Sequence, residues 1–200
     1  MYRFPKHIGI IPDGNRRWAK AHGYNKEDGY AYGLEPGIRL LHIAKECGIE
    51  EITFYGFTVD NCKRPKEQVK AFSNACIKAV KMIENENANL YIVGNTDSKC
   101  FPKELLPFTK PNRSKDKIKV NFLVNYGWEW DMKNNWASKD ISRVDLVIRW
   151  GGMRRLSGFL PIQTVYSDIC VIDDLWPDFN EKQFLDALNW YQKQDVTLGG

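Results

Sequence analysis

The stretch HIGIIPDGN, residues 7–15, decides the fold class of this chain. Its apolar run is short and ends at Pro12, and the polar turn residues Asp13, Gly14 and Asn15 follow at once. A run of this length bounded by turn residues predicts a strand that is buried on both faces, as in parallel sheets. We therefore predict a first strand at residues 7–12 with a carboxylate at its carboxyl end.

Short apolar runs predict further strands at residues 51–57, 90–94, 118–124, 144–149 and 168–172. Helical patterns alternate with them at 34–47, after Pro65 and at 179–191, and the polar stretch 95–117 is expected to be an exposed connection. Alternating strands and helices favour a mostly parallel, open α/β sheet flanked by helices. The length suits a single domain over residues 1–200.

Polar residues cluster where the predicted strands end. Asp13 follows the first strand, residues 58–61 the second, 125–127 the fourth and 149–152 the fifth. Ligands of open parallel sheets bind outside the carboxyl ends of the strands. We expect these four segments to meet on one rim.

The predicted rim carries one firm carboxylate, Asp13, among many cationic side chains. They are Arg16, Arg17, Lys26, Arg64, Arg149, Arg154 and Arg155. Arginine matches phosphate oxygens bidentately, and Mg²⁺ commonly binds through one or two carboxylates plus the phosphates of a substrate. The pattern indicates a diphosphate site that uses Mg²⁺, although Arg16 and Arg17 standing alone would fit a solvated helix face equally well.

Other phosphate chemistries lack their motifs. No GxxxxGK[ST] sequence supports a P-loop, and no second aspartate follows Asp13 two residues later, which argues against an aspartyl phosphatase. His7, His22 and His42 have no zinc-ligand spacing, so each is expected to be structural.

Composition indicates a cytoplasmic protein with a small anionic ligand. The net charge of +4 comes from 29 Lys and Arg against 25 Asp and Glu spread along the chain, which suits a small anionic substrate at least as well as nucleic acid. We predict a small-molecule substrate and no nucleic-acid partner. Five cysteines without a CxxC pair argue against a disulfide framework. The apolar run near the amino terminus is too short for a signal or membrane segment.

Three long motifs in this order resemble the cis-prenyltransferases, the undecaprenyl diphosphate synthase-like family. They are HIGIIPDGNRRWAK at 7–20, YGFTVDNCKRP at 55–65, and a third that begins with DLVIR at 145–149 and continues to LWPDF at 175–179. The resemblance implies an open α/β sheet that encloses an apolar tunnel, normally in a homodimer. It also implies Mg²⁺-dependent transfer of a prenyl group from an allylic diphosphate to isopentenyl diphosphate or another small isoprenoid acceptor, which forms a Z double bond.

The resemblance assigns roles residue by residue. Asp13 would anchor Mg²⁺ and, with Asn61 and Arg64, form the catalytic set, while Asp168 is a second expected metal ligand. The implied substrate-binding residues are Gly14, Asn15, Arg16, Arg17, Trp18, Lys26, Tyr30, Thr58 and Asp60, together with Arg149, Arg155 and Ser157 for the second diphosphate. The helix after Pro65 would add Val69, Phe72, Cys76 and Val80 as tunnel wall or simply as core. The group that takes the proton stays open.

The sequence departs from the family pattern mostly around the second substrate. Tyr30 stands where His is usual, Arg16 where Gly is usual and Cys62 where Trp is usual. Met153 replaces a Glu, and Thr197 replaces an Arg that reaches across the dimer in many members.

Two further features leave the product open. Residues 128–144 alone connect the fourth and fifth strands, where typical members have tens of residues more, so product length is undetermined. The combination DGNRRW at 13–18 is similar to the lavandulyl-type members, which join two dimethylallyl-type units head to middle. The acceptor need not be isopentenyl diphosphate alone.

Alternative functions also remain open. Some relatives are non-catalytic subunits of heteromers, and a prenyl-lipid binding protein would need no chemistry. The retained Asp13, Asn61 and Arg64 favour an enzyme. Tyr166, Asp168 and the tail at 197–200 lie in segments that face a partner in the family, which predicts a homodimer, and a lipid product would allow peripheral membrane contact.

Overall fold

The strands of this computed structural model, which describes residues 3–111, 114 and 116–195, form one parallel sheet. They are β1 (His7–Ile11), β2 (Glu51–Thr58), β3 (Asn89–Val93), β4 (Lys119–Tyr126), β5 (Leu146–Arg149) and β6 (Asp168–Val171). Their order is β3-β4-β2-β1-β5-β6, and each neighbouring pair is parallel. The predicted α/β sheet is confirmed, and all the predicted strands are present.

Helices flank the sheet as predicted. They are α1 (Asn15–Ala21), α2 (Gly29–Tyr32), α3 (Leu34–Glu46), α4 (Lys66–Glu84), α5 (Trp128–Lys133) and α6 (Glu181–Tyr191). The three longest match the predicted helices, whereas α1, α2 and α5 are too short to show an apolar period. Helix α6 begins two residues later than predicted because the Asn180 side chain caps it, accepting the Gln183 N–H at 3.1 Å.

Different segments cover the two faces of the sheet. Helices α3, α4 and α6 pack on one face, together with strand side chains such as Ile8 and Ile10. The other face packs against α5 and irregular segments, which include Phe159. The Phe159 ring lies so close to β1 that a Cβ on Gly9 would come within 2.5 Å of it. Glycine at this position therefore allows an irregular loop to pack directly on the central strand.

The stretch 95–117 is more than the predicted exposed connection. Its described part contains a 3₁₀ helix at Lys103–Phe108, and Phe101 and Leu105 are buried in the core. Two apolar residues in a polar stretch are too weak a signal to reveal this packing.

Two further observations complete the fold. Within the described ranges, no helix combines the length and the apolar character needed to cross a membrane. The tail at 197–200, which carries Thr197, lies outside the described residues.

His7 is buried in a polar network at the amino-terminal end of β1. Its Nδ1 lies 3.1 Å from the carbonyl oxygens of Ser142 and Arg143, and its Nε2 lies 2.8 Å from Thr53 Oγ1. Because carbonyl oxygens only accept, Nδ1 carries the proton and Nε2 accepts from the Thr53 hydroxyl. Burial lowers the pKa of His7 below its ordinary 6.5, against the opposing charge of Glu51. The structural role predicted for His7 is confirmed.

This network predicts that stability depends on pH. Because the pKa of His7 is lowered in the folded chain, the unfolded chain binds the proton more readily below the ordinary pKa of 6.5. The free energy of unfolding should fall as the pH decreases from about 7.5 to about 5.5, by at most about 1.4 kcal/mol per pH unit from this group. Urea unfolding followed by tryptophan fluorescence measures it.

The matched variant is His7→Gln, whose amide keeps a donor and an acceptor but does not titrate. We expect it to be less stable by roughly 1–3 kcal/mol near neutral pH and to have a shallower pH dependence. The same slope in both proteins would show that His7 is not the titrating group.

Candidate functional site

The carboxyl ends of β1, β2, β4 and β5 meet around an open cavity of about 1220 Å³. The predicted convergence of four strand ends is therefore confirmed. Most of the predicted site residues line this cavity: Asp13, Gly14, Asn15, Arg16, Arg17, Lys26, Tyr30, Thr58, Asp60, Asn61, Arg64, Arg149, Arg155 and Ser157.

Asp13 lies between two arginines. Its Oδ2 accepts a hydrogen bond from Arg149 Nη2 at 2.8 Å, and its Oδ1 lies 3.5 Å from Arg17 Nη2. The sheet creates this pairing because Ile11 of β1 is in register with Arg149 of β5, so the chain that leaves β1 passes the Arg149 side chain. The Asp13 side chain is 34% exposed and that of Arg149 only 5%. The carboxylate is therefore open to the cavity, and the buried guanidinium behind it holds it in place.

The loop after β5 fixes the other end of Arg149. Arg149 Nη1 donates to Ser157 Oγ at 2.9 Å and to the carbonyl oxygen of Arg155. Tyr55 holds the same loop, because its hydroxyl donates to the Ser157 carbonyl at 3.0 Å. Burial raises the pKa of Tyr55, so this hydroxyl keeps its proton and remains a donor. Arg149 and Ser157 are thus set side by side before any ligand binds.

Gly151 allows the loop after β5 to pack directly against Arg17 and the backbone of Asp13. It has φ of +88°, and a Cβ there would lie 2.4 Å from Arg17 Nη2 and 3.1 Å from the Asp13 carbonyl oxygen. Arg17 Nη2 also donates to the Gly151 carbonyl at 2.8 Å. A side chain at this position would both strain the backbone and displace the arginine.

The segment after β2 forms the opposite side of the cavity. Its 3₁₀ helix, Val59–Lys63, carries Asn61, whose Oδ1 accepts the Thr58 N–H at 3.5 Å. Arg64 follows, and its Nη1 donates to the hydroxyl oxygen of Tyr30 at 3.0 Å. This bond ties the β2 end to α2 across the cavity.

Trp18 does not line the cavity, contrary to its predicted role in substrate binding. Its Nε1 donates to Asp178 Oδ1 at 2.6 Å, and its ring stacks on His22 with centroids 4.0 Å apart. With about 3.6 residues per helical turn, the face of α1 that presents Arg17 and Lys20 to the cavity turns Trp18 away from it.

Asp168 lies at the opposite end of the sheet from Asp13. It is the first residue of β6 and is in register with Leu146, about 10 Å along the strands from Arg149. Its Oδ2 pairs with Arg3 Nη1 at 2.5 Å. Because β5 and β6 are parallel, one chain cannot bring Asp13 and Asp168 to the same ion.

The cavity wall also contains residues to which the sequence analysis assigned no role in the site. They are Lys20, Tyr55, Lys63, Trp128, Glu129, Trp130, Lys133 and Asn134. Two tryptophans directly after a strand end were a usable signal, because large amphipathic side chains beside a predicted rim are seldom placed there for the core. The lysines carried no such signal.

The charge of the cavity wall is strongly positive. Its cations are Arg16, Arg17, Lys20, Lys26, Lys63, Arg64, Lys133, Arg149 and Arg155, against the carboxylates Asp13, Asp60 and Glu129. No cluster of three or more His, Cys, Asp or Glu suited to a metal ion occurs in the described part of the chain. The wall is suited to ligands with several negative charges, and a divalent ion at Asp13 would need further oxygens from such a ligand.

A second, apolar cavity of about 100 Å³ lies between the sheet and helices α3 and α4. Phe72 and Cys76, two predicted tunnel-wall residues, line it, whereas Val80 belongs to the core and Val69 packs against that core. The implied apolar tunnel is not shown: among the residues that the structure describes, the apolar space at this place is this small cavity. It adjoins the large cavity, so a ligand with an anionic head and a short apolar tail fits the two together.

Known proteins are similar to this chain in sequence and in fold. Residues 11–139 and 132–199 match a family model described as putative undecaprenyl diphosphate synthase. The ditrans,polycis-undecaprenyl-diphosphate synthase of Yersinia pseudotuberculosis, specific for (2E,6E)-farnesyl diphosphate, is 32% identical over 230 residues, which cover 99% of this chain and 91% of that protein. An isoprenyl transferase of Fusobacterium nucleatum is 32% identical over 224 residues, covering 98% of this chain and 96% of that protein.

A solved structure extends the comparison to three dimensions. It is lavandulyl diphosphate synthase from Lavandula x intermedia in complex with dimethylallyl diphosphate. The TM-score is 0.81 at 22% sequence identity, covering 98% of this chain and 99% of that chain. This likeness shows a shared fold.

The geometry predicts that the cavity binds inorganic diphosphate. Arg17→Ala removes a cation beside Asp13, and the loss of a charge-assisted hydrogen bond costs about 1.5–3 kcal/mol, so Kd should rise roughly tenfold to a hundredfold. Isothermal titration calorimetry measures the change.

Arg154→Ala is the matched control. Arg154 belongs to the same loop region but pairs with the exposed Asp173 and does not line the cavity. Equal weakening by both variants would mean that diffuse surface charge, and not this cavity, binds the anion.

Proposed function

This chain belongs to the undecaprenyl diphosphate synthase family of cis-prenyltransferases, and we propose that it transfers the prenyl group of an allylic diphosphate to a second small isoprenoid diphosphate with Mg²⁺ as cofactor. The observation that carries the proposal is Asp13 held between Arg149 and Arg17 in a cationic cavity that adjoins an apolar one. The first cavity suits two diphosphate groups, and the second suits a prenyl tail.

The allylic diphosphate binds on the side of the cavity formed by α1 and the β2 end. The groups for it are the backbone at Gly14, the amide of Asn15 and the cations Arg17, Lys26 and Arg64, with Arg16, Thr58, Asp60 and Tyr30 close by. The hydrogen bond to Tyr30 fixes the orientation of the Arg64 guanidinium, and its remaining N–H groups are available to the diphosphate. Fixed donors stabilise charge better than mobile ones because they need no reorganisation during the reaction.

The acceptor's diphosphate binds on the β5 side. Arg149, Arg155 and Ser157 supply a guanidinium fork, a second cation and a hydroxyl there. Arg149 is buried and held by Asp13 and Ser157, so it presents one defined orientation. Placing the two diphosphates on the two sides of the β1 end brings the reacting carbons together between them.

Prenyl transfer breaks the bond between the allylic carbon and the diphosphate oxygen, and the diphosphate leaves with the electron pair. The acceptor's double bond supplies the electrons of the new carbon–carbon bond, and loss of a proton restores a double bond. Arg17, Lys26 and Arg64 stabilise the negative charge of the departing diphosphate. Asn61 lies on the same cavity wall as these three cations. The apolar cavity shields the allylic cation from water.

Asp13 fits a magnesium ion. Its side chain is partly exposed and its Oδ1 contact with Arg17 is long, at 3.5 Å, so this oxygen keeps lone pairs for an ion. Mg²⁺ often takes one protein carboxylate together with substrate phosphates and water. Asp13 would hold it with the diphosphate oxygens, and the ion would neutralise charge on the leaving group.

We propose relaxed use of the acceptor, including dimethylallyl diphosphate. Met153 lines the cavity where the family usually has Glu, so a charged group that would fix the acceptor is missing. Which nucleophile captures the cation depends on which atom lies about 3–3.5 Å from it. The products would include branched, lavandulyl-type diphosphates alongside or instead of the Z head-to-tail product.

The working form is proposed to be a homodimer. Apolar side chains are exposed on the edge strand β6, at Ile169, and in the segment before it, at Ile162, Val165 and Tyr166. Such a patch on a sheet edge is typical of an interface. Sedimentation at micromolar concentration should give about twice 23.2 kDa, and a fully active monomer would contradict it.

We place the enzyme in the cytoplasm, with peripheral membrane contact where its product is a lipid. A heteromer's non-catalytic subunit or a lipid carrier would not need Asp13, Asn61 and Arg64 together on the cavity wall. Their presence there favours an enzyme.

The products of paired substrates test the proposal. With Mg²⁺, the protein should consume dimethylallyl diphosphate together with isopentenyl diphosphate, and also dimethylallyl diphosphate alone, as identified by mass spectrometry and chromatography. Linear Z products with no product from dimethylallyl diphosphate alone would reject relaxed acceptor use. An absence of products with allylic diphosphates of any length would reject the transferase itself.

Asp13→Asn tests the role of this carboxylate in the reaction, and Asp173→Asn is its control. Asp13→Asn keeps the shape and one acceptor oxygen but loses the charge, so turnover should fall about a thousandfold or more, equal to about 4 kcal/mol. The exposed Asp173→Asn should retain activity. Near-normal turnover of Asp13→Asn would contradict the role of this carboxylate.

A further inference from the structure

The two cavities meet at a neck formed by the residues that line both. They are Pro12, Asn15, Tyr30, Tyr55, Gly56 and Phe72. A prenyl tail whose diphosphate lies in the cationic cavity must pass this neck to reach the apolar one. Three aromatic rings, those of Tyr30, Tyr55 and Phe72, line this neck.

Tyr30 is placed to close the neck. It is 5% exposed, and its ring packs on Phe72 with centroids 4.5 Å apart. Its hydroxyl accepts a hydrogen bond from Arg64 at 3.0 Å, which holds the ring at the boundary between the cationic and apolar sides. Phe72 is supported from behind by Phe57, with centroids 5.0 Å apart. Both sides of the closure are thus fixed.

The backbone that carries Tyr30 cannot retreat to widen the neck. A Cβ on Gly29 would lie 2.1 Å from the Asn15 carbonyl oxygen, and one on Gly33 would lie 2.4 Å from Asn15 Oδ1. Glycines at both ends of α2 thus allow it to press directly on α1. The neck can be widened by shortening the Tyr30 or Phe72 side chain, not by moving α2 toward α1.

The apolar cavity behind the neck is small. A dry protein cavity of about 150 Å³ is known to hold benzene, a six-carbon ring. By that measure, about 100 Å³ offers room for about one five-carbon isoprene unit.

We propose that Tyr30, packed against Phe72, is a specificity-determining residue that limits the allylic substrate to a single isoprene unit. The inference rests on the proposed function, because it assumes that the tail belongs to an allylic diphosphate held in the cationic cavity. It assigns a steric role to a position that the resemblance places in the site of the first substrate.

Binding of unreactive substrate analogues tests this without turnover. The probes are the thiolodiphosphates of the five-carbon dimethylallyl and ten-carbon geranyl groups, in which sulfur replaces the oxygen on the reacting carbon. The wild-type protein should bind the longer analogue no more tightly than the shorter one. Tyr30→Ala should improve binding of the ten-carbon analogue relative to the five-carbon one by at least about tenfold, because the added unit becomes buried. Calorimetry measures both values of Kd.

Three variants test whether the neck itself sets this ratio of affinities. Phe72→Ala opens the neck from the other side and should shift the ratio in the same direction, which also covers the case in which Tyr30→Ala does not fold. Tyr30→Phe keeps the ring but loses the bond to Arg64, so the ratio should stay as in the wild type. Tyr24→Ala, at an exposed tyrosine that lines neither cavity, should leave it unchanged.

The outcomes distinguish this proposal from the proposed function. An unchanged ratio of affinities in folded Tyr30→Ala and Phe72→Ala would overturn the role proposed for the neck, even if the wild-type protein transfers prenyl groups. A wild-type protein that prefers the longer analogue tenfold would overturn it as well. If the proteins bind the analogues in the expected ratios but form no prenyl product, the proposed function would be rejected, whereas the role of the neck in selecting the length of the bound tail would be retained.

Discussion

The ion pair between Asp13 and Arg149 is the contact on which the arrangement of the site depends. It joins the ends of two neighbouring strands, and the register of Ile11 with Arg149 brings the two side chains within 2.8 Å. A nearly buried arginine is costly unless it is paired and hydrogen-bonded. Asp13, Ser157 and the Arg155 carbonyl pair with its two terminal nitrogens, while its buried Nε has no hydrogen-bond partner among the described residues. The same contacts therefore stabilise the loop after β5 and orient the cation for a ligand.

The pairing also explains how one carboxylate can serve an anion site without repelling its ligand. Asp13 balances Arg149 when the cavity is free, and many further cations remain on the wall. An incoming diphosphate meets a net positive field, while Asp13 keeps an oxygen that is only loosely engaged by Arg17. The carboxylate thus offers a ligand for a cation in the one region where bound anions would supply the others.

Much of the fold and part of the site follow from local sequence patterns. Buried strands give unbroken apolar runs, so β1 to β5 and the convergence of Asp13, Asn61 and Arg149 could be predicted. The edge strand β6 is partly exposed, but its short apolar run was long enough to reveal it as well. The position of Trp18 depends on the helical phase of the short α1. Asp168 begins the predicted strand at 168–172, so the sequence pattern already placed it at the amino-terminal end, and only the resemblance assigned it to the metal. The small apolar cavity depends on how Tyr30 and Phe72 pack across α2 and α4, which no spacing along the chain encodes.

The separation of Asp13 and Arg149 along the chain has a consequence for when the site exists. They lie 136 positions apart, and β5 and β6 form one edge of the sheet, beyond β1. A growing chain cannot form the anion site before residue 149 has been synthesised and β5 has paired with β1, and pairings over such distances are slow to form. Conversely, local detachment of this edge would abolish the site while β3, β4, β2 and β1 stayed paired. The cavity is therefore a feature of the completed sheet, and its loss would be an early sign of unfolding.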